Sequence, residues 1–313
     1  MTIKSSGSLS FTEIVAEWNG STPHSLSEYY SAGSLVYSGA ADGSGNAIPS
    51  SGAISFSDFY DTEAFVTTST VSIANATSTT VAVPSGANAI YIVSAFGAGG
   101  GGYRGADYDK AGGESAGAGG GGGAYAAGVY LTVTAGTNLS VVVGSQGSAG
   151  TSVFSGSAGS GSATTIVNSS GTTILSLGGG GGASVSGGGV KGPLRSNSAG
   201  SGGSASSATR LSSGTTTSGA SVRTGSLANG SAGGINGNCS GDNCRIGGSS
   251  GGNNGAGTNG GSGGSSSGSG SAGGDGGSGG GGGGGSAQIP TIGNTAGGDG
   301  GDGSLSYQFV RIT

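Results

Sequence analysis

Few side chains in this sequence can do chemistry, and most of them gather in islands between runs of glycine. The first island is Tyr103-Arg104-Gly105-Ala106-Asp107-Tyr108-Asp109-Lys110, closing near Glu114. Tyr and Arg bring aromatic surface and a planar set of donors, a combination enriched where proteins bind other molecules. A second island is Lys191-Gly192-Pro193-Leu194-Arg195-Ser196-Asn197. Arg210-Leu211, Arg223 and the stretch from Cys239 to Arg245 form a third region. Loops held on a scaffold carry function more often than the scaffold does. The contact candidates are therefore Tyr103, Arg104, Asp107, Tyr108, Lys110, Lys191, Arg195, Arg210, Arg223 and Arg245.

Catalytic chemistry finds little support. His24 is the sole histidine and stands beside Pro23 without a nucleophile or ligand at useful spacing. The carboxylates are scattered, so only a pair distant in sequence could serve hydrolysis. The chain is expected not to be an enzyme and to need no cofactor or metal. Cys239 and Cys244 are the only cysteines, too few for a four-ligand zinc site. They form either a small loop-closing disulfide or two free thiols, and an oxidising destination favours the disulfide. Gly-x-Gly-x-x-Gly recurs by chance among 80 glycines, with no strand–turn–helix unit around it. Gly297-Gly298-Asp299-Gly300-Gly301-Asp302-Gly303 approaches a calcium-binding nonapeptide, but such sites need stacked copies. It reads as a turn into the last strand.

The elements that must position the islands are unusual. Glycine runs occupy 97–102, 119–123, 178–182, 279–285 and 297–303. A glycine run is a flexible linker unless something orders it. Here strand-like segments rich in β-branched and aromatic residues lead straight into the runs, at Phe96-Gly97 and Leu177-Gly178. Strands are expected at 70–74, 79–83, 89–96, 129–134, 139–143, 172–177 and 305–312. The runs are expected to form packed polyglycine-II helices, three residues per turn with no internal hydrogen bonds, each pairing its backbone with its neighbours. The terminal strand needs partners, and those near 89–96 are the natural ones.

Residues 1–66 differ in kind. They hold Trp18, His24 and three Ser-x-x-acid signatures, Ser10…Glu13, Ser25…Glu28 and Ser55…Asp58, each a capping box that starts a short helix. Gly7 to Ile14 repeats loosely as Gly52 to Phe59. The fold class is thus mainly β with polyglycine-II-like packing at 67–313, preceded by a small module of short helices at 1–66. The module is poor in core, so Phe11, Ile14, Trp18, Phe56, Phe59 and Tyr60 are expected to dock on a partner or on copies in a homo-oligomer.

Only 7% of residues are charged and the net charge is −5, with no Lys/Arg stripe, which argues against nucleic acid. No apolar stretch approaches the roughly 20 residues of a membrane span. The first residues lack the apolar core of a signal peptide, yet the Ser/Thr/Gly/Asn-rich surface suits an extracellular setting.

Val83-Pro84-Ser85-Gly86, Ile90 to Val93 and Gly97 to Gly102 together resemble the opening of glycine-rich domains in bacteriophage tail fibres. Gly298 to Gly303 before the last strand resembles their ending, and Phe56 to Tyr60 is similar to N-terminal segments of phage structural proteins. Runs separated by polar loops also look like tail-fibre-tip adhesins. The resemblance implies a virion protein made in the host cytoplasm and acting outside it. Its N-terminal module would dock to other tail proteins, and its loops would bind a host saccharide or outer-membrane protein. The alternative is a structural virion component, such as a head fibre, decoration or baseplate-connecting protein. A secreted coat or ice-binding protein is the third reading.

Overall fold

The computed structural model describes residues 3–18, 20, 22–31, 33, 35–36, 40–42, 44–62, 67–74, 76–84, 86–105, 117–152, 155–186, 196–212, 222, 225–234, 275–276, 279–280 and 296–312. All three capping boxes form. Ser10 caps α1 (Phe11–Trp18), and the Glu13 carboxylate accepts the Ser10 N–H at 2.8 Å. The boxes at Ser25/Glu28 and Ser55/Asp58 each start only one 3-10 turn, Leu26–Tyr29 and Phe56–Phe59. Tyr30 and Tyr60, which follow these turns, take extended backbone. Their hydroxyls donate to the carbonyls of Gly52 and Gly7, so long-range anchoring wins over helix propagation. Ile14, Trp18, Tyr29, Val36, Ile48 and Phe59 pack into one apolar cluster with Ile3 and Ala40.

Two five-stranded antiparallel sheets follow. One has the order β1 (Val71–Ala74), β13 (Ser304–Val310), β3 (Ala89–Phe96), β4 (Tyr125–Thr132), β12 (Ser226–Ala228). The other has the order β11 (Ala205–Ser207), β8 (Thr173–Leu177), β7 (Thr164–Val167), β5 (Asn138–Val142), β2 (Ser78–Ala82). Their inner faces meet in a single cluster that includes Ile90, Ile92, Val129, Leu131 and Phe309 from the first sheet, and Leu139, Val141, Ile166, Ile174 and Leu175 from the second. The pair is a sandwich built from residues alternating inward with period two. The terminal strand pairs with 89–96 as its pattern requires, Phe309 opposite Ile90 and Leu305 opposite Ala95. Short strands β6 (Gly156–Ser157), β9 (Ser184–Ser186) and β10 (Ser196–Ser198) form a third sheet.

Inward side chains shrink toward one end of the sandwich. Along β3 they fall from Ile90 and Ile92 to Ala95 and then Ala98, and along β4 they rise from Ala124 and Ala126 to Val129 and Leu131, all buried. At the narrow end the Thr164 hydroxyl donates to the Phe96 carbonyl at 2.7 Å and accepts the Gly144 N–H at 3.0 Å, stitching strands of both sheets together.

Beyond that stitch the strands continue as glycine-rich runs. The 97–103 run is buried throughout and donates in three directions with a period of three. Gly97, Gly100 and Tyr103 donate to Ala124, Gly121 and Ala118; Ala98 and Gly101 to Ser162 and Gly159; Gly99 and Gly102 to Gly301 and Gly298, all at 2.8–3.1 Å. Its carbonyls accept from Gly147 and Gly150 and from Gly180 and Ala183. A strand offers hydrogen bonds to two sides only, so this three-sided pattern is that of a packed polyglycine-II bundle. The runs at 117–124, 144–150, 158–163, 178–183, 199–204, 229–234 and 296–303 surround or extend it.

Several of these runs contain serine, alanine or aspartate, so composition alone understates them. The signal is Gly at every third place, as at 144/147/150, 230/233 and 297/300/303, where a Cβ would meet neighbouring backbone or side-chain atoms at or below 2.8 Å. The intervening positions face outward or supply acceptors. The stretch Gly297 to Gly303, expected as a turn, is such a run. Asp299 and Asp302 accept the N–H groups of Ala149 at 2.6 Å and Gln146 at 2.9 Å.

Two kinds of glycine should respond differently to substitution. Gly121 and Gly180 are needed for close approach, since a Cβ would lie 1.9 Å from the Ser201 and Gly121 carbonyl oxygens. Gly121→Val and Gly180→Val should each cost more than about 4 kcal/mol, or prevent folding. Gly171 has φ +83 and open space around it. Gly171→Ala should cost only about 1 kcal/mol. Thermal or denaturant unfolding of the three variants checks both statements.

Candidate functional site

The topology decides where the islands leave the scaffold. Outgoing and returning runs lie side by side: Tyr103 pairs with Ala118, Gly150 with Gly102, Ala158 with Ala183 and Gly119 with Gly234. The residues that flank the intervals 104–116, 151–157, 184–198 and 235–274 therefore sit together at the bundle end remote from the sandwich. The intervals 133–137, 168–172 and 208–225 join strands at the opposite end. There Thr68 also bonds to Phe309, and Asn88 to Ile312, so the chain enters and leaves the domain at that end.

Tyr103 is the residue that finishes the central run. It is 2% exposed and packs with Ala118, Ala158, Ala183 and Val185. Its ring lies flat on Gly150, where a Cβ would come within 2.2 Å of the ring. Its hydroxyl is buried and, among the described residues, finds no hydrogen-bond partner. This corrects the expectation that Tyr103 contacts a receptor, because a ring so enclosed has no surface to offer. Its role is to plug the bundle and seat the small sheet, in which Val185 lies opposite both Gly156 and Asn197. Arg104 follows at the rim, half-buried, and its guanidinium donates to the Thr151 carbonyl at 2.7 Å.

The third sequence island does not hold together. Arg210 bridges to Leu131 at the sandwich end and its guanidinium donates to the Gly225 carbonyl, far along the chain path from the loop end at Gly234. Arg210 is thus a strap on the sandwich and not part of the remote end. Asp107, Tyr108, Lys110, Lys191, Arg195, Arg223, Arg245, Cys239 and Cys244 lie outside the described residues. Among the described residues no group of three or more His, Cys, Asp or Glu could hold a metal, and no helix is long and apolar enough to cross a membrane.

The docking residues also divide. Ile14, Trp18 and Phe59 are 0–3% exposed inside the N-terminal cluster, so they hold the module together and cannot dock. Phe11 packs partly against that cluster and Tyr60 is half-buried through its bond to Gly7. Phe56, at 40% exposure, is the one of the six that stands in solvent.

The sequence profile of a family described as a glycine-rich domain matches residues 72–309. The chain belongs to that family. The match opens in β1 and closes in β13, so the glycine-rich domain comprises sandwich and bundle together and leaves the N-terminal module outside it. No curated protein matches the chain. The signal that could have separated Tyr103 from its island was its spacing. It stands three residues after Gly100 and six after Gly97, in phase with the run rather than beyond it.

Tyr103→Ala should therefore lower the stability of the glycine-rich domain by about 3 kcal/mol, as a truncated buried aromatic does. Arg104→Ala should change it by less than about 1 kcal/mol. Paired melting curves test this.

In the N-terminal module, Lys4 Nζ lies 2.8 Å from Glu13 Oε1, and Ser10 gives the same carboxylate its N–H and hydroxyl. The lysine first, then the serine donors, hold the Glu13 carboxyl down at about 2. A depressed carboxyl contributes its cap above the ordinary carboxylate range and loses it as pH falls toward 2. The Glu13 carboxyl resonance should titrate near pH 2 by NMR, and Lys4→Ala should move that midpoint upward.

Proposed function

We propose that the protein is a bacteriophage virion protein of the tail-fibre adhesin type. It binds the host surface without covalent chemistry through segments at the remote end of the polyglycine bundle. The observation that carries this reading is the separation of ends. The residues flanking the long intervals 104–116, 184–198 and 235–274 lie toward one end of the bundle, whereas the N-terminal module and the C-terminus join the domain at the other. That polarity suits a part attached at one end that touches a target at the other. A scaffold of interlocked backbone also holds loop ends apart at fixed spacing, which lowers the ordering cost of binding. The ligand class is a host saccharide or an outer-membrane protein loop, met by the Arg and Tyr content of the islands.

The test replaces residues 106–116, 187–195 and 239–245, one interval at a time, with Gly/Ser chain of equal length. Adsorption to host cells should fall by on the order of tenfold or more for at least one replacement, with the melting temperature unchanged. Unaltered adsorption in all three leaves the rival reading, a structural virion component, in possession.

A further inference from the structure

The N-terminal module carries a partly exposed aromatic surface at the edge of its core. Its three capping boxes place an apolar residue directly after the capping serine, namely Phe11, Leu26 and Phe56, and an acid two residues further on, Glu13, Glu28 and Asp58. The fourth residue of each turn, Ile14, Tyr29 or Phe59, is fully buried. Of the positions after the caps, Phe11 and Leu26 are half-buried against the cluster and Phe56 stands toward solvent. Phe11 touches three rings: buried Tyr29 edge-on at 5.7 Å beneath it, Phe56 at 6.0 Å and His24 edge-on at 5.9 Å between centroids. Phe56 is 40% exposed and Phe11 and His24 are half-buried. These form one aromatic patch with carboxylates close by in the chain.

Charge selects the occupant. Residues 1–66 carry Lys4 against Glu13, Glu17, Glu28, Asp42, Asp58, Asp61 and Glu63, a net of −6 in a chain whose total is −5, so residues 67–313 net +1. Two copies of so acidic a module repel each other, and anionic lipid or nucleic acid is repelled likewise. We infer that the Phe11–Phe56–His24 patch is the docking surface of the N-terminal module, and that its partner is a protein presenting an apolar anchor ringed by lysine or arginine. This deepens the docking half of the reading above and borrows from it only the identity of the partner as a particle protein. The measurement below needs neither particles nor host cells.

The full chain is titrated with an amphipathic Leu/Lys helical peptide and with its Leu/Glu counterpart of equal length, followed by fluorescence anisotropy. The Leu/Lys peptide should bind about tenfold or more tighter than the Leu/Glu peptide. Its affinity should fall about tenfold when salt is raised to about 0.5 M. Phe56→Ser should abolish most of the binding while leaving the melting temperature in place, because Phe56 lies outside the module's core. Asp58→Asn, whose amide oxygen can still accept the Ser55 N–H, should weaken it less. Equal binding of both peptides, binding of neither, or binding untouched by Phe56→Ser overturns the proposal. Sedimentation of the chain alone provides the other arm: self-association that Phe56→Ser abolishes would name a second copy as the occupant and overturn it too. Loss of host adsorption in the loop replacements bears on the adhesin reading alone, so the two can fail separately.

Discussion

The three-sided hydrogen bonding of the 97–103 run is the interaction on which the rest of the glycine-rich domain depends. A buried peptide group must find a partner or cost several kcal/mol. A run without side chains can offer its N–H groups to three neighbours in rotation and take N–H groups from others, which it does. Every neighbour must also come close enough for that exchange. A single Cβ at Gly100, Gly120 or Gly147 would stand about 2 Å from another backbone, well inside contact distance. Close approach, and not a left-handed φ, is why these positions are glycine: the run glycines at 97–102, 117–123 and 178–182 all avoid the left-handed region.

Such a bundle buries almost no apolar side chain, and glycine gives up more backbone entropy on ordering than any other residue. It therefore needs its runs delivered in register. The sandwich does this. Its cluster is where the hydrophobic stabilisation lies, and its strands feed the runs directly, β3 into 97–103, β5 into 144–150, β8 into 178–183 and 296–303 into β13. Sheets packed face to face stand about 10 Å apart, so the sandwich must taper before it can become a bundle. Ala95, Ala98, Ala124 and Ala126 make that taper, and Thr164 closes it with two hydrogen bonds. Chain direction alternates through the sheets, and the alternation gathers one set of connections at each end.

The N-terminal module solves its stability differently. It has a core of its own from Ile3 to Phe59, held by capping boxes and by two tyrosine hydroxyls that reach across to distant carbonyls. The residues expected to wait for a partner instead satisfy one another. Among the described residues of this module, Phe56 is the large apolar side chain left exposed.

The sequence by itself determined the parts that rest on local pattern. Period-two alternation and β-branched residues placed β3 at its observed bounds and the terminal strand within two residues, and Ser-x-x-acid placed all three caps. The abrupt strand-to-glycine joins announced polyglycine packing. Strand β7, Thr164–Val167, went unmarked because Thr-Thr-Ile-Val has no apolar/polar alternation, and the serine-holding runs at 144–150, 158–163, 199–204 and 229–234 were hidden by composition although glycines at 144/147/150, 200/203 and 230/233 keep step by three. Only the tertiary structure decided at which end of the scaffold the residues flanking each island sit. It sent Arg210 to the sandwich and turned Tyr103 from a contact residue into a plug. A residue's neighbours along the chain fix its local conformation. Its exposure depends on runs far away in sequence, here the 144–150, 158–163 and 178–183 runs, whose arrival around the 97–103 run no local pattern encodes.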